Sequence, residues 1–199
     1  MDITVSPGGL RGSVTPPASK SQAHRLIIAA ALSDGVCRLK NMAMSEDIAA
    51  TLGCMRTLDA DASRDGSIIR GAALVDGHEV PVSEVMDCGE SGSTLRFLIP
   101  VALALKGEGK FTGRGRLMER PQQPYIDLFR EKGIAWRREG DVLTVSGRLE
   151  PGEYRLRGDV SSQFVTGLLY ALPLLDGPSE IVLTTPLESR GYVDMTLDA

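Results

Sequence analysis

One apolar helical pattern occurs three times in this chain of 199 residues, and the repetition limits the fold more than any other feature does. In the first copy Ala23, Leu26, Ile27, Ala30 and Ala31 fall at i, i+3, i+4, i+7 and i+8, which is one buried helical face. Leu95, Leu98, Ile99, Ala102 and Leu103 repeat it, each 72 residues after its counterpart. Phe164, Gly167, Leu168, Ala171 and Leu172 repeat it again, 69 residues further on. Each copy starts from a hydroxyl-rich turn: Ser19-Lys20-Ser21, Ser91-Gly92-Ser93-Thr94 and Ser161-Ser162-Gln163. Each is followed at matching distance by glycine, Gly35, Gly107 or Gly177, which is expected to stop the helix. Ser19 and Gln22 have the spacing of a capping box, so the first helix is predicted to begin near Lys20.

The intervening material repeats more loosely. Ser45 is predicted to cap a second helix with Ile48, Leu52 and Met55 on one face, and its counterpart runs from Tyr125 to Lys132. Hairpin signals follow at Asp65-Gly66 and at Glu139-Gly140-Asp141. Strands are expected to lead into the three first helices at Gly12 to Thr15, Glu84 to Cys88 and Tyr154 to Arg157. One unit is therefore strand, helix, strand, helix and two strands. The third has a strand at Ile181 to Thr184 and reaches Tyr192-Val193-Asp194-Met195, which matches Tyr125-Ile126-Asp127-Leu128, before the sequence ends. An amphipathic helix cut after one turn cannot bury its face, so a fragment or truncation product is expected.

Charge and apolar run lengths exclude several classes of function. Lys and Arg number 22 against 26 Asp and Glu, so no global positive field points to nucleic acid or an anionic membrane surface. The longest apolar runs, Leu26 to Leu32 and Phe97 to Leu105, are too short to span a bilayer, and the first residues lack a signal-peptide pattern. The reading is of a cytoplasmic protein. Cys37, Cys54 and Cys88 are odd in number and form no C-x-x-C pair, which favours buried free thiols over disulfides or zinc.

An anion site must then be local. Lys20 and Arg25 stand in the first two turns of a helix, where cations oppose the macrodipole at about 0.3 to 1 kcal/mol each unless an anion lies between them. Arg96 begins the second copy, and Arg120 stands in the loop Gly113 to Pro121, where guanidinium suits bidentate contact with phosphate or carboxylate. Three helix N-termini from three pseudo-symmetric units would supply N–H groups and positive dipole ends. Taken singly, each cation reads as solvated, Arg114 and Arg116 above all, and Ser161-Ser162-Gln163 reads equally as a plain cap. Recurrence at the same place in each unit favours a site. His24 and His78 read as structural or solvated.

Ser19-Lys20-Ser21 with Arg25, the Gly89 to Arg96 turn, Met118-Glu119-Arg120-Pro121, Val160 to Phe164, and Ser189 with Tyr192 resemble the 5-enolpyruvylshikimate-3-phosphate synthase family in order and spacing. The resemblance covers the whole chain but only the front half of that family. It implies an α/β fold: an inverted α/β barrel domain of βαβαββ units, the third truncated. Residues 1–11 would hold a strand belonging to the missing second domain, and residues 12–199 would form the N-terminal domain, with units at about 12–83, 84–152 and 153–199.

The implied reaction moves the enolpyruvyl group of phosphoenolpyruvate to the 5-hydroxyl of shikimate 3-phosphate, with no cofactor and no metal. By motif, Lys20, Ser21, Arg25, Ser161, Ser162, Gln163, Ser189 and Tyr192 would bind shikimate 3-phosphate, the serines Ser161, Ser162 and Ser189 taking its phosphate. Lys20, Gly92, Arg120 and Gln163 would bind phosphoenolpyruvate. Lys20 and Arg120 would assist, while the acid/base residues would lie in the missing C-terminal domain, leaving this chain inactive alone. Glu90 stands where the family's turn usually has Asn, and a carboxylate there repels phosphoenolpyruvate unless it is turned away or paired. Two rival readings are a relative of UDP-N-acetylglucosamine enolpyruvyl transferase and a non-catalytic phosphate-binding scaffold. Against the first, the loop before Arg120 carries Gly115 and no cysteine.

Overall fold

The computed structural model describes residues 3–4, 6–9, 11–58, 60–62, 68–70 and 85–199. The elements run α1 (Lys20–Leu32), β1 (Val36–Arg38), α2 (Glu46–Thr57), β2 (Asp61–Ala62), β3 (Ile68–Arg70), β4 (Met86–Asp87), α3 (Gly92–Lys106) and β5 (Glu108–Thr112). Then come α4 (Gln123–Glu131), β6 (Ala135–Glu139), β7 (Val142–Ser146), β8 (Glu153–Leu156), α5 (Ser162–Ala171), β9 (Glu180–Leu183) and α6 (Arg190–Leu197). The chain is therefore mixed α/β.

Three sheets form the outer layer. β1, β3 and β2 pair antiparallel in that order; β4, β5, β7 and β6 form a mixed sheet with β4 parallel to β5; β8 and β9 pair in parallel. Each parallel pair is joined by a helix, α3 or α5, as a parallel crossover requires. The Gly140-Asp141 turn between β6 and β7 uses Gly140 at φ +59°, a conformation that favours glycine. Asp65 and Gly66 lie outside the described residues.

Helix α3 lies at the centre. Its sequence is apolar all round, and Leu95, Phe97, Leu98, Ile99, Val101, Ala102 and Leu103 are all buried. It also contains Pro100, which has no N–H to give the carbonyl of Arg96. The Tyr125 hydroxyl of α4 takes over that role, donating to Arg96 O at 2.8 Å and sharing the bond with Phe164 O of α5 at 3.0 Å. One phenol thus ties three helices together. Tyr125→Phe orphans the Arg96 carbonyl in the core, so a loss of about 1 to 3 kcal/mol is expected from urea unfolding.

Helix α1 follows the expected start but not the expected face. Ser19 Oγ accepts from Gln22 N, and the helix begins at Lys20. Ile28 is buried where Leu26 is half-buried, and His24 and Arg25 turn inward with the apolar side. The helix ends at Leu32, not at Gly35, because both the backbone N–H and the hydroxyl of Ser33 return to Ala30 O. Gly107 does stop α3, in the left-handed conformation, whereas a 3-10 turn at Leu172–Leu174 extends α5 before Gly177.

Strands β4, β8 and β9 appear at three of the expected places, with Glu84 outside the described residues. Residues 12–15 form no strand. A strand needs a partner to satisfy its ladder, and Val14 stands 92% exposed. The described residues among 1–11 likewise carry no strand. Cys54 and Cys88 are buried free thiols; Cys37 is free and half-buried. His78 lies outside the described residues.

His24 is 1% exposed, and burial lowers its pKa from 6.5 to about 4, with Lys20 and Arg25 adding to the effect against the opposing charge of Asp47. The unfolded chain therefore binds this proton more readily than the folded one. Stability from the neutral ring is complete above about pH 6.5 and is lost as pH falls toward 4, to a total of about 3 kcal/mol. Denaturant unfolding across that range is expected to show this fall in the native chain and not in His24→Gln.

Candidate functional site

Three serines set the starts of the three repeated helices. Ser19 Oγ caps α1, Ser91 Oγ accepts from Thr94 N at 3.1 Å to cap α3, and Ser161 Oγ accepts from Gln163 N at 3.3 Å to cap α5. These N-termini, with the start of α6 and the loop before α4, open onto one cleft of about 450 Å³. Positive dipole ends and polar side chains line it together.

Arg25 enters the cleft from α1 while remaining 2% exposed. Its Nε donates to Thr196 Oγ1 at 2.8 Å and Tyr192 O at 3.1 Å, its Nη1 to Ser21 O at 2.9 Å, and its Nη2 to Thr166 Oγ1 at 3.4 Å. Of five N–H donors, one on each terminal nitrogen remains. The guanidinium lies over the rings of Phe97 and Tyr192, 5.1 and 5.7 Å from their centroids, and burial lowers its pKa. Among the described residues no carboxylate pairs with it.

Arg96 belongs to the same cleft, although the sequence reading gave it no ligand. Its Nη1 donates to Gln163 Oε1 at 2.7 Å, its Nη2 to Pro121 O at 2.9 Å and its Nε to Gln122 Oε1 at 3.3 Å, while its guanidinium lies 4.7 Å from the Phe164 centroid. Gln163 is held on its other side by Ser93, Nε2 to Oγ at 2.9 Å. Arg120 also lines the cleft, its Nη1 only 2.8 Å from where a Cβ on Gly92 would lie. The missing side chain of Gly92 is what lets that guanidinium approach α3. Neither Arg96 nor Arg120 pairs with a described carboxylate. Three arginines without counter-ions face one space.

The remaining predicted residues gather around them. Ser161, Ser162, Gln163, Ser189, Tyr192 and Ser21 all line the cleft. The Ser162 hydroxyl is bonded to no described residue. Ser189 precedes α6 in the left-handed conformation, φ +57°, and its side chain does not cap the helix. Lys20 does not line the cleft: its Nζ pairs with Asp47 Oδ2 at 2.7 Å, at the start of α2. Gly92 lies beside it, behind Arg120.

Ser93, Phe97, Val160 and Glu188 complete the lining; Ser93 and Val160 lie in motifs read from the sequence, but none of the four was given a ligand there. Arg96 carried a signal, as the cation one turn into α3 after Gly92. Glu188 carried none. Glu90 is turned from the cleft: its Oε1 occupies the space beside Gly115, 2.8 Å from where a Cβ would stand, and Gly115 has φ +58°. Arg114 and Arg116 are exposed on the same loop, as expected, Arg116 with Glu119 3.5 Å away. Among the described residues no cluster of His, Cys, Asp and Glu could hold a metal ion, and no helix is long and apolar enough to cross a membrane.

Residues 5–199 match the family model described as EPSP synthase (3-phosphoshikimate 1-carboxyvinyltransferase). The chain belongs to the EPSP synthase family. Relatives in Clostridium novyi (strain NT) and Clostridium botulinum (strain Eklund 17B / Type B), each named 3-phosphoshikimate 1-carboxyvinyltransferase, are 47% and 42% identical to it. The matches cover 99% and 98% of this chain and 47% and 46% of those proteins, so the chain spans about half the length of the relatives it matches. Among solved structures, an EPSP synthase from Acinetobacter baumannii superposes with a TM-score of 0.73 at 25% identity, covering 94% of this chain and 42% of that one. The enolpyruvyl transferase NikO from Streptomyces tendae shares the fold alone, with a TM-score of 0.59 at 18% identity over 95% of this chain and 45% of that one.

Proposed function

We propose that this chain is the substrate-binding half of a transferase that moves the enolpyruvyl group of phosphoenolpyruvate to the 5-hydroxyl of shikimate 3-phosphate. The observation that carries the reading is Arg25, buried, with no carboxylate partner among the described residues and two N–H donors unspent, at a cleft where Arg96 and Arg120 also pair with no described carboxylate. A buried cation without a partner is costly, and a bound anion removes that cost.

Shikimate 3-phosphate has a carboxylate and a phosphate. The carboxylate goes to Arg25 with Ser21; the phosphate goes to Ser161, Ser162 and Ser189, where the start of α5 adds its dipole. Gln163, clamped between Arg96 and Ser93, lies under the ring, and Tyr192 borders it. Phosphoenolpyruvate takes the side of Gly92, Arg120 and Gln163, with Lys20 reaching both substrates once it leaves Asp47. Holding the two ligands in contact, with cations where charge develops, is the contribution this half makes. No metal or organic cofactor takes part.

Residues 12–199 are read as the first domain, with repeated units closing into an inverted α/β barrel in a cytoplasmic enzyme. The acid/base groups belong to the part of the relatives that this chain does not span. Phosphate release from both substrates is expected to be undetectable with this chain alone. It is expected to appear when the unmatched half of the Clostridium novyi relative is added. Release by the chain alone, or none from a mixture that demonstrably associates, would count against the assignment.

A further inference from the structure

Lys20 and Gly92, the two predicted residues that do not line the cleft, stand over one buried hydrogen-bond chain. His24 Nδ1 lies 2.7 Å from Thr51 Oγ1, Thr51 Oγ1 lies 2.7 Å from Thr94 Oγ1, and Thr94 Oγ1 donates to Ser91 Oγ at 2.7 Å. All four residues are buried. The chain crosses from α1 through α2 to the cap of α3. It also reaches Asp47, whose carbonyl oxygen lies 3.2 Å from Thr51 Oγ1 and 3.5 Å from Thr94 Oγ1. Asp47 is the partner of Lys20, and Ser91 immediately precedes Gly92.

Proton counting fixes the direction of the chain. Each hydroxyl has one proton. Thr94 gives its proton to Ser91, so the 2.7 Å contact between Thr94 and Thr51 needs the Thr51 proton. The short contact between Thr51 and His24 then needs His24 as donor. His24 is therefore the Nδ1–H tautomer, and its Nε2, buried with no partner, is a bare lone pair among core side chains. An orphaned acceptor in that place costs less than an orphaned N–H.

We propose that Thr94, with Thr51 and His24 behind it, is a positioning residue for the phosphoenolpyruvate side of the cleft. It locks the Asp47 end of α2 to the Ser91-Gly92 turn, and so fixes the separation of Lys20 from Gly92. The ligand named rests on the proposed function; the geometry of the chain does not. Of the residues given to shikimate 3-phosphate only Lys20, held on Asp47, touches it; Ser161, Ser162, Ser189 and Arg25 take no part, so that ligand is the less affected of the two.

The test compares Thr94→Val, which keeps the shape and removes the hydroxyl, with Thr94→Ser, which keeps the hydroxyl. Phosphoenolpyruvate is titrated into the chain saturated with shikimate 3-phosphate. Thr94→Val is expected to weaken phosphoenolpyruvate at least tenfold and shikimate 3-phosphate less than twofold, and Thr94→Ser to restore the native value. Equal weakening of both ligands, or a fall in Tm with neither affinity changed, overturns the positioning role. Ring-nitrogen NMR of the 15N-labelled chain, assigned by signal loss in His24→Gln, is expected to show Nδ1 protonated in the native chain and altered in Thr94→Val. The Nε2–H tautomer overturns the proton order. Where the native chain fails to take up phosphoenolpyruvate, the proposed function has failed or needs the rest of the enzyme. The relay then stands or falls on those ring nitrogens and on the Gly92 amide resonance, and an amide unmoved in Thr94→Val overturns it.

Discussion

Arg25→Lys is expected to weaken shikimate 3-phosphate by roughly 100-fold or more while leaving the chain folded. Lysine keeps the charge and most of the stem but loses the planar fork. Arg25 spends three N–H groups on Tyr192 O, Thr196 Oγ1, Ser21 O and Thr166 Oγ1, and keeps two for a ligand. Each charge-assisted bond contributes roughly 1.5 to 3 kcal/mol, so losing two costs at least two orders of magnitude in affinity. Equilibrium dialysis reads this directly, and circular dichroism controls for folding. An affinity within threefold of the native chain would mean that Arg25 serves only the packing of α1 against α6.

Gly167→Ala carries the largest expected effect on stability. Helices α3 and α5 cross at this residue, and a Cβ there would fall on the Tyr125 hydroxyl, 2.5 Å from Arg96 O and 2.9 Å from Pro100 Cγ. Two of the three obstacles are a backbone carbonyl and a proline ring inside a helix, neither of which can swing aside. Overpacking of this kind costs roughly 1 to 3 kcal/mol, occasionally more, and the Tyr125 bond to Arg96 O is broken as well. For a chain of this length a drop in Tm of at least about 4 °C is expected. Separation of α3 from α5 also parts Arg96 from Gln163, so ligand affinity should fall with stability. A Tm within 2 °C of the native value would show that the crossing relaxes freely.

What could be read from the sequence was what local chemistry decides. Helix starts at Ser19, Ser91 and Ser161 depend on residues two or three positions away, and all three serines cap as their spacing implies. Of the residues assigned to ligands, Ser21, Arg25, Arg120, Ser161 to Gln163, Ser189 and Tyr192 line one cleft because they follow helix starts or loops that the repeat brings together. What could not be read depends on distant partners. Arg25 is buried by Thr196 and Tyr192, far along the chain on α6, so a residue expected beside an anion is also part of the core. Lys20 turns to Asp47 across a helix pair that no local rule connects. Residues 12–15, placed as a strand by analogy with the other units, form none, since a strand exists only with its neighbour. Gly35 lost its role as a stop to Ser33, whose hydroxyl acts two residues earlier.

The central proposal is that this chain already holds the shikimate 3-phosphate site, and calorimetric titration with that ligand tests it most directly. Inorganic phosphate and shikimate serve as controls, with Ser162→Ala alongside. The account predicts saturable binding at one site per chain, weaker by far for either control, and lost in the variant whose missing hydroxyl bonds no described residue. No heat from a demonstrably folded chain, or equal binding by Ser162→Ala, would contradict it.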